Sequence, residues 1–230
     1  MIHLRPANER GHAQHGWLDS HHTFSFANYY DPDFMGFSDL RVINDDSVAP
    51  GTGFGTHPHR DMEIITYVLN GTIEHRDTMH NVSQLKAGEI QVMSAGSGVA
   101  HSEYNASKTA ALNFLQIWIM PNVSGVEPRY AQKDFSALSG INLVISPQGE
   151  GESLAIRQDA KLYQVRLNEA SETFTTQAGR LYYLHVAQGE LTVNEVAMSA
   201  GDGAYIDAEA MLKLTTTSTV DALLFELRGH

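Results

Sequence analysis

Two short histidine-containing segments carry the residue types best suited to chemistry in this chain. His57-Pro58-His59 and His101-Ser102-Glu103 each place two metal-ligating side chains two positions apart. Because side chains alternate between the two faces of a β-strand, residues i and i+2 point the same way. Two such strands lying side by side would aim three imidazoles and one carboxylate at a single point. Imidazole-rich donor sets suit iron, copper, nickel or zinc, so the pattern predicts a divalent transition-metal site.

The composition limits what kind of protein this is. The chain has 230 residues, a formal net charge of −12 and no cluster of lysine or arginine, so we expect no direct binding of DNA or RNA. It contains no cysteine, which excludes thiolate metal sites and thiol nucleophiles. Any metal must therefore be held by histidine and carboxylate.

The same sequence predicts a cytoplasmic protein without a membrane role. The N-terminal residues 1–6 lack the apolar run of a signal peptide. No stretch approaches the ~20 apolar residues that are needed to span a bilayer.

Strand signals dominate the chain. Ile64–Leu69 is rich in β-branched and aromatic residues and is followed by Asn70-Gly71, a strong hairpin-turn signal. Leu112–Met120 is typical of a buried strand. Long amphipathic helices are hard to find, and a short helix is predicted over Tyr130–Leu138. Many short strands separated by glycine-rich turns indicate an all-β sandwich or barrel.

The second half of the chain echoes the first. Residues 57–71 align without a gap to 175–189, and 85–95 resemble 198–208. Such internal similarity predicts two copies of one barrel. In this alignment a threonine and a glutamine replace the first two histidines, and no His-x-Glu follows. We therefore expect the second copy to keep the fold and to lack the ligands.

This repeat suggests where the chain divides. We predict an N-terminal barrel with the metal site over 1–130 and a C-terminal barrel without the ligands over 131–230. The segment 121–137 contains proline and glycine and is the predicted linker.

The spacing of glycines and ligands in the first half resembles the cupin signature. Gly51-x5-His57-x-His59-x3-Glu63 matches the first cupin motif closely. Gly88-x5-Ser94-x-Gly96, followed by His101-x3-Asn105, is similar to the second, with serine where proline is usual.

A narrower resemblance is to the pirin family of the cupin superfamily. Residues 16–46 resemble the N-terminal signature of that family, and 57–78 and 87–105 resemble its two metal-binding blocks. These segments cover roughly the first half of the chain, in order and at fitting spacing. Within the family, the bacterial pirin-like quercetin 2,3-dioxygenases are the most similar, being of similar length.

The resemblance implies a fold and a site. Pirins are all-β bicupins, with two antiparallel jelly-roll barrels joined by a short linker. Their N-terminal barrel binds one iron-like metal through three histidines and a glutamate, which correspond here to His57, His59, His101 and Glu103. Iron is the expected metal, and copper, nickel, manganese, cobalt and zinc remain open. No further cofactor is expected.

The resemblance also implies a reaction. The enzyme would be a metal-dependent dioxygenase that uses O2 to cleave the heterocycle of flavonols such as quercetin, releasing carbon monoxide. Glu103, the only carboxylate among the inferred ligands, is the candidate catalytic base for the 3-hydroxyl of the flavonol. The alternative is a non-enzymatic, redox-sensing protein that uses the same metal to regulate a protein partner. A third possibility is turnover of another small molecule.

Several residues near these motifs have two interpretations. Glu63 could orient a ligand histidine or pair with Arg60 or solvent, and a structural role is favoured. His80 stands where glycine is expected, and it either adds a polar group near the mouth of the barrel or has no role. The remaining histidines are interpreted as structural or solvated. We expect His21 to take part in local packing, His75 to be a solvated strand residue and His185 to be structural.

Overall fold

The fold consists almost entirely of β-strands. The computed structural model describes residues 1–229, and within that range the helical content is a single 3₁₀ turn at Ala7–Glu9. No helix of residues 1–229 has the length and apolar character to cross a membrane. The first ten strands are β1 Ile2–Arg5, β2 Gly11–Gln14, β3 Leu18–His22, β4 Leu40–Val48, β5 Gly53–Asn70, β6 Thr72–Asp77, β7 Val82–Lys86, β8 Glu89–Asn105, β9 Leu112–Ile119 and β10 Arg129–Asp134. The other ten are β11 Gly140–Ser146, β12 Leu154–Ala155, β13 Lys161–Asn168, β14 Ser171–Thr175, β15 Arg180–Gln188, β16 Glu190–Val193, β17 Val196–Ser199, β18 Gly203–Ile206, β19 Met211–Thr215 and β20 Thr219–Arg228.

The N-terminal half forms one nine-stranded sheet in the order β2-β3-β4-β9-β5-β8-β6-β7, with β10 on β8. Its two longest strands, β5 with 18 residues and β8 with 17, run antiparallel beside each other. The predicted turn at Asn70-Gly71 joins β5 to β6, and Gly71 adopts φ 87°, a conformation that favours glycine. The sheet therefore has long central strands that can position side chains along their length.

The C-terminal half forms a seven-stranded sheet in the order β1-β18-β15-β20-β13-β11-β12 and a four-stranded sheet in the order β14-β19-β16-β17. Strand β1 crosses to this half and pairs with β18. The predicted all-β, two-cupin fold is confirmed. The sheets are open and pack as jelly-roll sandwiches, so the predicted barrels are not closed.

The predicted helix at Tyr130–Leu138 is wrong. Strand β10 takes up residues 130–134 of this segment, and a turn follows at 136–137. β10 pairs antiparallel with the first part of β8, with Arg129 opposite Ser94 and Asp134 opposite Glu89. The second part of β8 pairs with β6, so β10 covers the edge that β6 leaves free. The predicted boundary between residues 130 and 131 falls inside β10, and the division of the chain into 1–130 and 131–230 stays a prediction.

The two halves share a hydrophobic core. One cluster of buried side chains combines Ile65, Tyr67 and Ile117 of the N-terminal sheet with Leu162, Tyr183 and Phe225 of the C-terminal sheet.

A polar group lies at the edge of this shared core. The Tyr67 hydroxyl is 2.8 and 2.9 Å from the two carboxylate oxygens of Asp221 and accepts a hydrogen bond of 2.8 Å from Gln164 Nε2. Arg166 Nε donates to Asp221 at 3.1 Å. These bonds satisfy polar groups that the packing of the two halves removes from water.

Replacing Tyr67 by phenylalanine tests this contact. Tyr67→Phe should lower the free energy of unfolding by about 1–3 kcal/mol, because Asp221 and Gln164 then lose a buried partner. Urea denaturation measures the change. Tyr104→Phe removes a hydroxyl from a ring that is 41% exposed and should leave the stability unchanged. Equal effects of the two substitutions would contradict the assigned role of Tyr67.

Candidate metal centre

Three imidazoles meet between β5 and β8. His57 is the direct cross-strand partner of His101, and His59 lies two positions along the same strand. His57 Nε2 and His59 Nε2 are each 3.0 Å from His101 Nε2. Two nitrogens bound to one ion at about 2.1 Å and at a right angle would be about 3.0 Å apart. The spacing therefore fits three neighbouring positions around one metal ion.

The carboxylate of Glu103 lies next to His101. Glu103 follows His101 on the same face of β8, and its Oε2 atom is 3.8 Å from His101 Nε2. The side chain is 3% exposed. The amide of Gln116 donates to both of its oxygens at 3.2 and 2.9 Å, and Thr66 donates to one at 3.4 Å. These donors fix the direction of a carboxylate that burial removes from water. The structure thus brings together the three imidazoles that the sequence singled out and places Glu103 beside one of them, His101.

The hydrogen bonds of two imidazoles fix which nitrogen carries the proton. His57 Nδ1 is 2.7 Å from the carbonyl oxygen of Gly55, which can only accept, so Nδ1 donates and Nε2 keeps its lone pair. His75 Nε2 donates to Asp77 Oδ2 at 2.8 Å, so His75 Nδ1 is the acceptor for His101 Nδ1 at 3.4 Å. His101 Nε2 therefore also presents a lone pair. Both lone pairs face the shared point.

Burial also keeps two of the imidazoles, those of His59 and His101, neutral at pH 7. Burial, with the neighbouring imidazoles of His57 and His75, lowers the pKa of His101 to about 3. Burial, with the imidazoles of His101 and His57, lowers the pKa of His59 to about 4. Metal binding requires unprotonated nitrogen. At neutral pH the chain therefore presents nitrogen donors that are ready to bind an ion.

The interpretation of His75 as a solvated residue is wrong. His75 lies on β6 opposite Glu103 and is completely buried, whereas its neighbour Arg76 faces solvent. The charged neighbours suggested an exposed strand, but alternation along the strand places His75 inside. His75 accepts a hydrogen bond from His101 Nδ1, the nitrogen that faces away from the other imidazoles, as a hydrogen-bonding group commonly does for a metal-ligating histidine.

Glu63 and His80 lie apart from the imidazoles. Glu63 is completely buried and accepts a 2.7 Å hydrogen bond from Ser94, and burial raises its pKa. The register of β5 on β8 shifts between His59 and Asp61, and Asp61 adopts φ 63°, so the regular alternation of β5 is interrupted before Glu63. His80 is exposed and adopts φ 71°, which explains why glycine is expected at this position.

A cavity of about 400 Å³ opens beside the imidazoles. Its apolar wall includes Leu18, Phe26, Phe54 and Trp118. A polar strip from β3 and β4 adds Ser20, His22, Asn44 and Asp46. Cavities of this size and composition, with a few polar groups in an apolar wall, are typical of small-molecule sites.

Sequence reasoning missed the acidic residue of this wall. Asp46 lies on β4, is 4% exposed and accepts a hydrogen bond from the Ser20 hydroxyl. Burial raises the pKa of Asp46 to about 7; Ser20 opposes the rise, and nearby Glu103 adds to it. The Asn44-Asp45-Asp46 run could have been found by alternation, because Asn44 and Asp46 share the inward face of β4.

Known families match both halves of the chain. Residues 3–119 match the family model described as Pirin, and residues 143–227 match the one described as Quercetinase C-terminal cupin domain. The quercetin 2,3-dioxygenase of Escherichia coli K12 is 54% identical over 228 residues, which are 99% of each chain. A pirin-like protein of Caulobacter vibrioides is 44% identical over 232 residues, covering 98% of this chain and 99% of the other. The crystal structure of the bacterial pirin YhhW from Escherichia coli in complex with nickel(II) has a TM-score of 0.96 and 53% identity, and covers 100% of both chains.

The raised pKa of Asp46 should make the free energy of unfolding depend on pH. In metal-free protein, Asp46→Asn should raise the free energy of unfolding by an amount that grows between about pH 4 and pH 7. The carboxyl has a pKa of about 7 when folded and about 3.9 when unfolded, so its ionisation destabilises the folded state increasingly as the pH rises. Urea denaturation at several pH values measures the difference. A constant difference across this range would contradict the buried, weakly acidic carboxyl.

Proposed function

The chain belongs to the pirin family, and on that premise we propose that it is a metal-dependent 2,3-dioxygenase of flavonols such as quercetin. The observation that carries the proposal is the convergence of three imidazole nitrogens, at 3.0 Å spacings, beside an aromatic cavity. Relatives named quercetin 2,3-dioxygenase support the reaction, and a pirin in complex with nickel(II) supports the metal.

The proposed ligands are His57, His59, His101 and Glu103. All four donors are nitrogen or oxygen, a set that suits iron and equally admits nickel, copper, manganese, cobalt or zinc. Four protein ligands leave one or two positions free on a five- or six-coordinate ion. When bound, the ion would supply a Lewis acid for the flavonol 3-hydroxyl and a centre for the reaction with O2.

The cavity would bind the substrate by shape and by hydrogen bonds. Phe54 and Trp118 offer flat aromatic surfaces to a planar ring system, and Trp118 also packs edge-on against His59 at 5.2 Å between ring centroids. The polar strip of Asn44 and Asp46 can hydrogen-bond the hydroxyls of such a ring. A neutral, hydroxylated aromatic compound fits this lining better than an anion, because the wall itself contains carboxyl groups.

Proton transfer would fall to the two carboxyl groups of the cavity. Glu103 would accept the proton of the flavonol 3-hydroxyl, since Gln116 and Thr66 hold its carboxylate beside the imidazoles. Asp46 lines the same cavity with a pKa of about 7, a value that suits proton exchange near neutral pH. The reaction would then add both atoms of O2 to the substrate and release one carbon as carbon monoxide.

Loss of the proposed ligands gives the direct test. Protein loaded anaerobically with each of the six metals is mixed with quercetin and O2, and we expect at least one metal to bleach the flavonol and release carbon monoxide. His57→Ala combined with His59→Ala should abolish both signals, because two of three imidazoles are gone.

His80→Gly is the matched control, since it removes an exposed histidine outside the cavity and should keep full activity. Failure of every metal to support bleaching would contradict the dioxygenase and favour the redox-sensing partner protein. Activity that survives the double substitution would contradict the ligand set.

The support of His101 by His75 predicts a loss of metal affinity. His75→Ala should weaken binding about 10–100-fold, because His101 loses the acceptor that fixes its proton on Nδ1. Competition with a chromophoric chelator measures the dissociation constant. His75→Gln keeps an acceptor and should recover part of the affinity, while His80→Ala should match wild type. Unchanged affinity of His75→Ala would contradict the tautomer assignment.

A further inference from the structure

A second group of potential metal ligands lies on the outer face of the β2–β3 hairpin. His12 on β2 is directly opposite His21 on β3. Asp19 precedes His21 by two positions and therefore shares its face. The adjacent inward positions Ala13 and Ser20 line the cavity, so this group lies on the far side of the cavity wall. It is separate from the imidazoles between β5 and β8.

Both imidazoles lie close to the same carboxylate oxygen of Asp19. His12 Nε2 is 2.9 Å and His21 Nδ1 is 3.6 Å from Asp19 Oδ1. The two imidazole rings stack with centroids 4.5 Å apart and planes inclined by 14°. One donor atom from each residue lies within 4.8 Å of the others. Two donors on one tetrahedral ion at about 2.1 Å would be about 3.4 Å apart, so the two rings must turn out of their stack to bind the same ion.

From this geometry we propose that His12, Asp19 and His21 form a second divalent-cation site, selective for zinc and similar borderline ions. Two imidazoles and one carboxylate are a ligand set that zinc takes in proteins, with a fourth position left for water. The site lies at the surface, where an ion can enter without opening the fold. This proposal does not depend on flavonol turnover.

The charges around the site are compatible with a bound cation. Arg10 is the nearest positive group, and it is paired with Asp45 at 3.4 Å. Partial burial, with the charges of Arg10 and His12, lowers the pKa of His21, which keeps its ring neutral and able to bind. The proton that His12 now donates to Asp19 would pass to the other ring nitrogen or to solvent. The net charge of −12 adds a general attraction for cations.

An ion at this position would connect two strands of the cavity wall. His12 belongs to β2, and Asp19 and His21 belong to β3, so the ion would cross-link the hairpin that presents Ser20 and His22 to the cavity. The hairpin lies at the edge of the nine-stranded sheet, where β2 has one strand neighbour. A bound ion would therefore stabilise the edge strand β2, which is hydrogen-bonded to the sheet on one side only.

Zinc titration of full-length, metal-free protein tests the proposal. Isothermal titration calorimetry should find two sites in wild type. His57→Ala with His59→Ala should remove the site between β5 and β8 and leave one equivalent, accompanied by a rise in Tm on adding zinc. Adding His12→Ala and His21→Ala to that background should remove the remaining equivalent and the rise in Tm. His80→Ala in the His57→Ala/His59→Ala background should keep the one remaining zinc equivalent and the rise in Tm.

The outcomes separate this site from the proposed function. No zinc binding to the His57→Ala/His59→Ala protein would overturn the second site. So would binding that survives the further loss of His12 and His21. Far-UV circular dichroism and urea denaturation check that each variant is folded. If the inner site fails to bind any metal while this one binds zinc, the dioxygenase proposal fails and the second site stands.

Discussion

The antiparallel pairing of β5 with β8 positions the imidazoles of the metal site. It sets His57 opposite His101 and brings the Nε2 atoms within 3.0 Å of each other, although the two residues are 44 positions apart. The register of this pairing shifts between Phe54 and His57 and again between His59 and Asp61, on either side of the two histidines. Bulges are commonly used in this way, to re-aim side chains next to functional sites. A shift of the pairing by one residue would turn these side chains to opposite faces.

Around this pairing, burial and hydrogen bonding prepare the site without an ion. Removing His59 and His101 from water disfavours their protonated forms, and the Gly55 carbonyl and the His75–Asp77 pair each place a proton on the nitrogen that faces away. The same fold leaves Asp46 in the cavity wall, where desolvation weakens its acidity. Burial therefore yields both the neutral imidazoles and a weakly acidic carboxyl around one cavity.

Patterns that act over a few residues were predictable from the sequence. The i, i+2 spacing of His57 with His59 and of His101 with Glu103 follows from strand alternation, and the Asn70-Gly71 turn follows from backbone preference. What the sequence missed depends on pairing between distant segments. Strand β10 forms because the edge of β8 is free, which no local pattern in Tyr130–Leu138 records.

Contacts between distant segments also set the surroundings of the site residues. His75 has charged neighbours in sequence, yet β6 lies against β8 and buries it. Asp46 gains its role from Ser20 on the adjacent strand and from the cavity, neither of which is visible in the run that contains it. Glu63 follows a register shift and the positive φ of Asp61, which no local pattern in the sequence records.

Anomalous X-ray diffraction from crystals of the metal-loaded protein would locate each ion and its ligands. We expect an ion between β5 and β8 with Nε2 of His57, His59 and His101 at about 2.0–2.2 Å and a Glu103 oxygen completing the protein ligands. An ion elsewhere in the chain with none at this point, or an ion here that fewer than three of these imidazoles bind, would contradict this expectation.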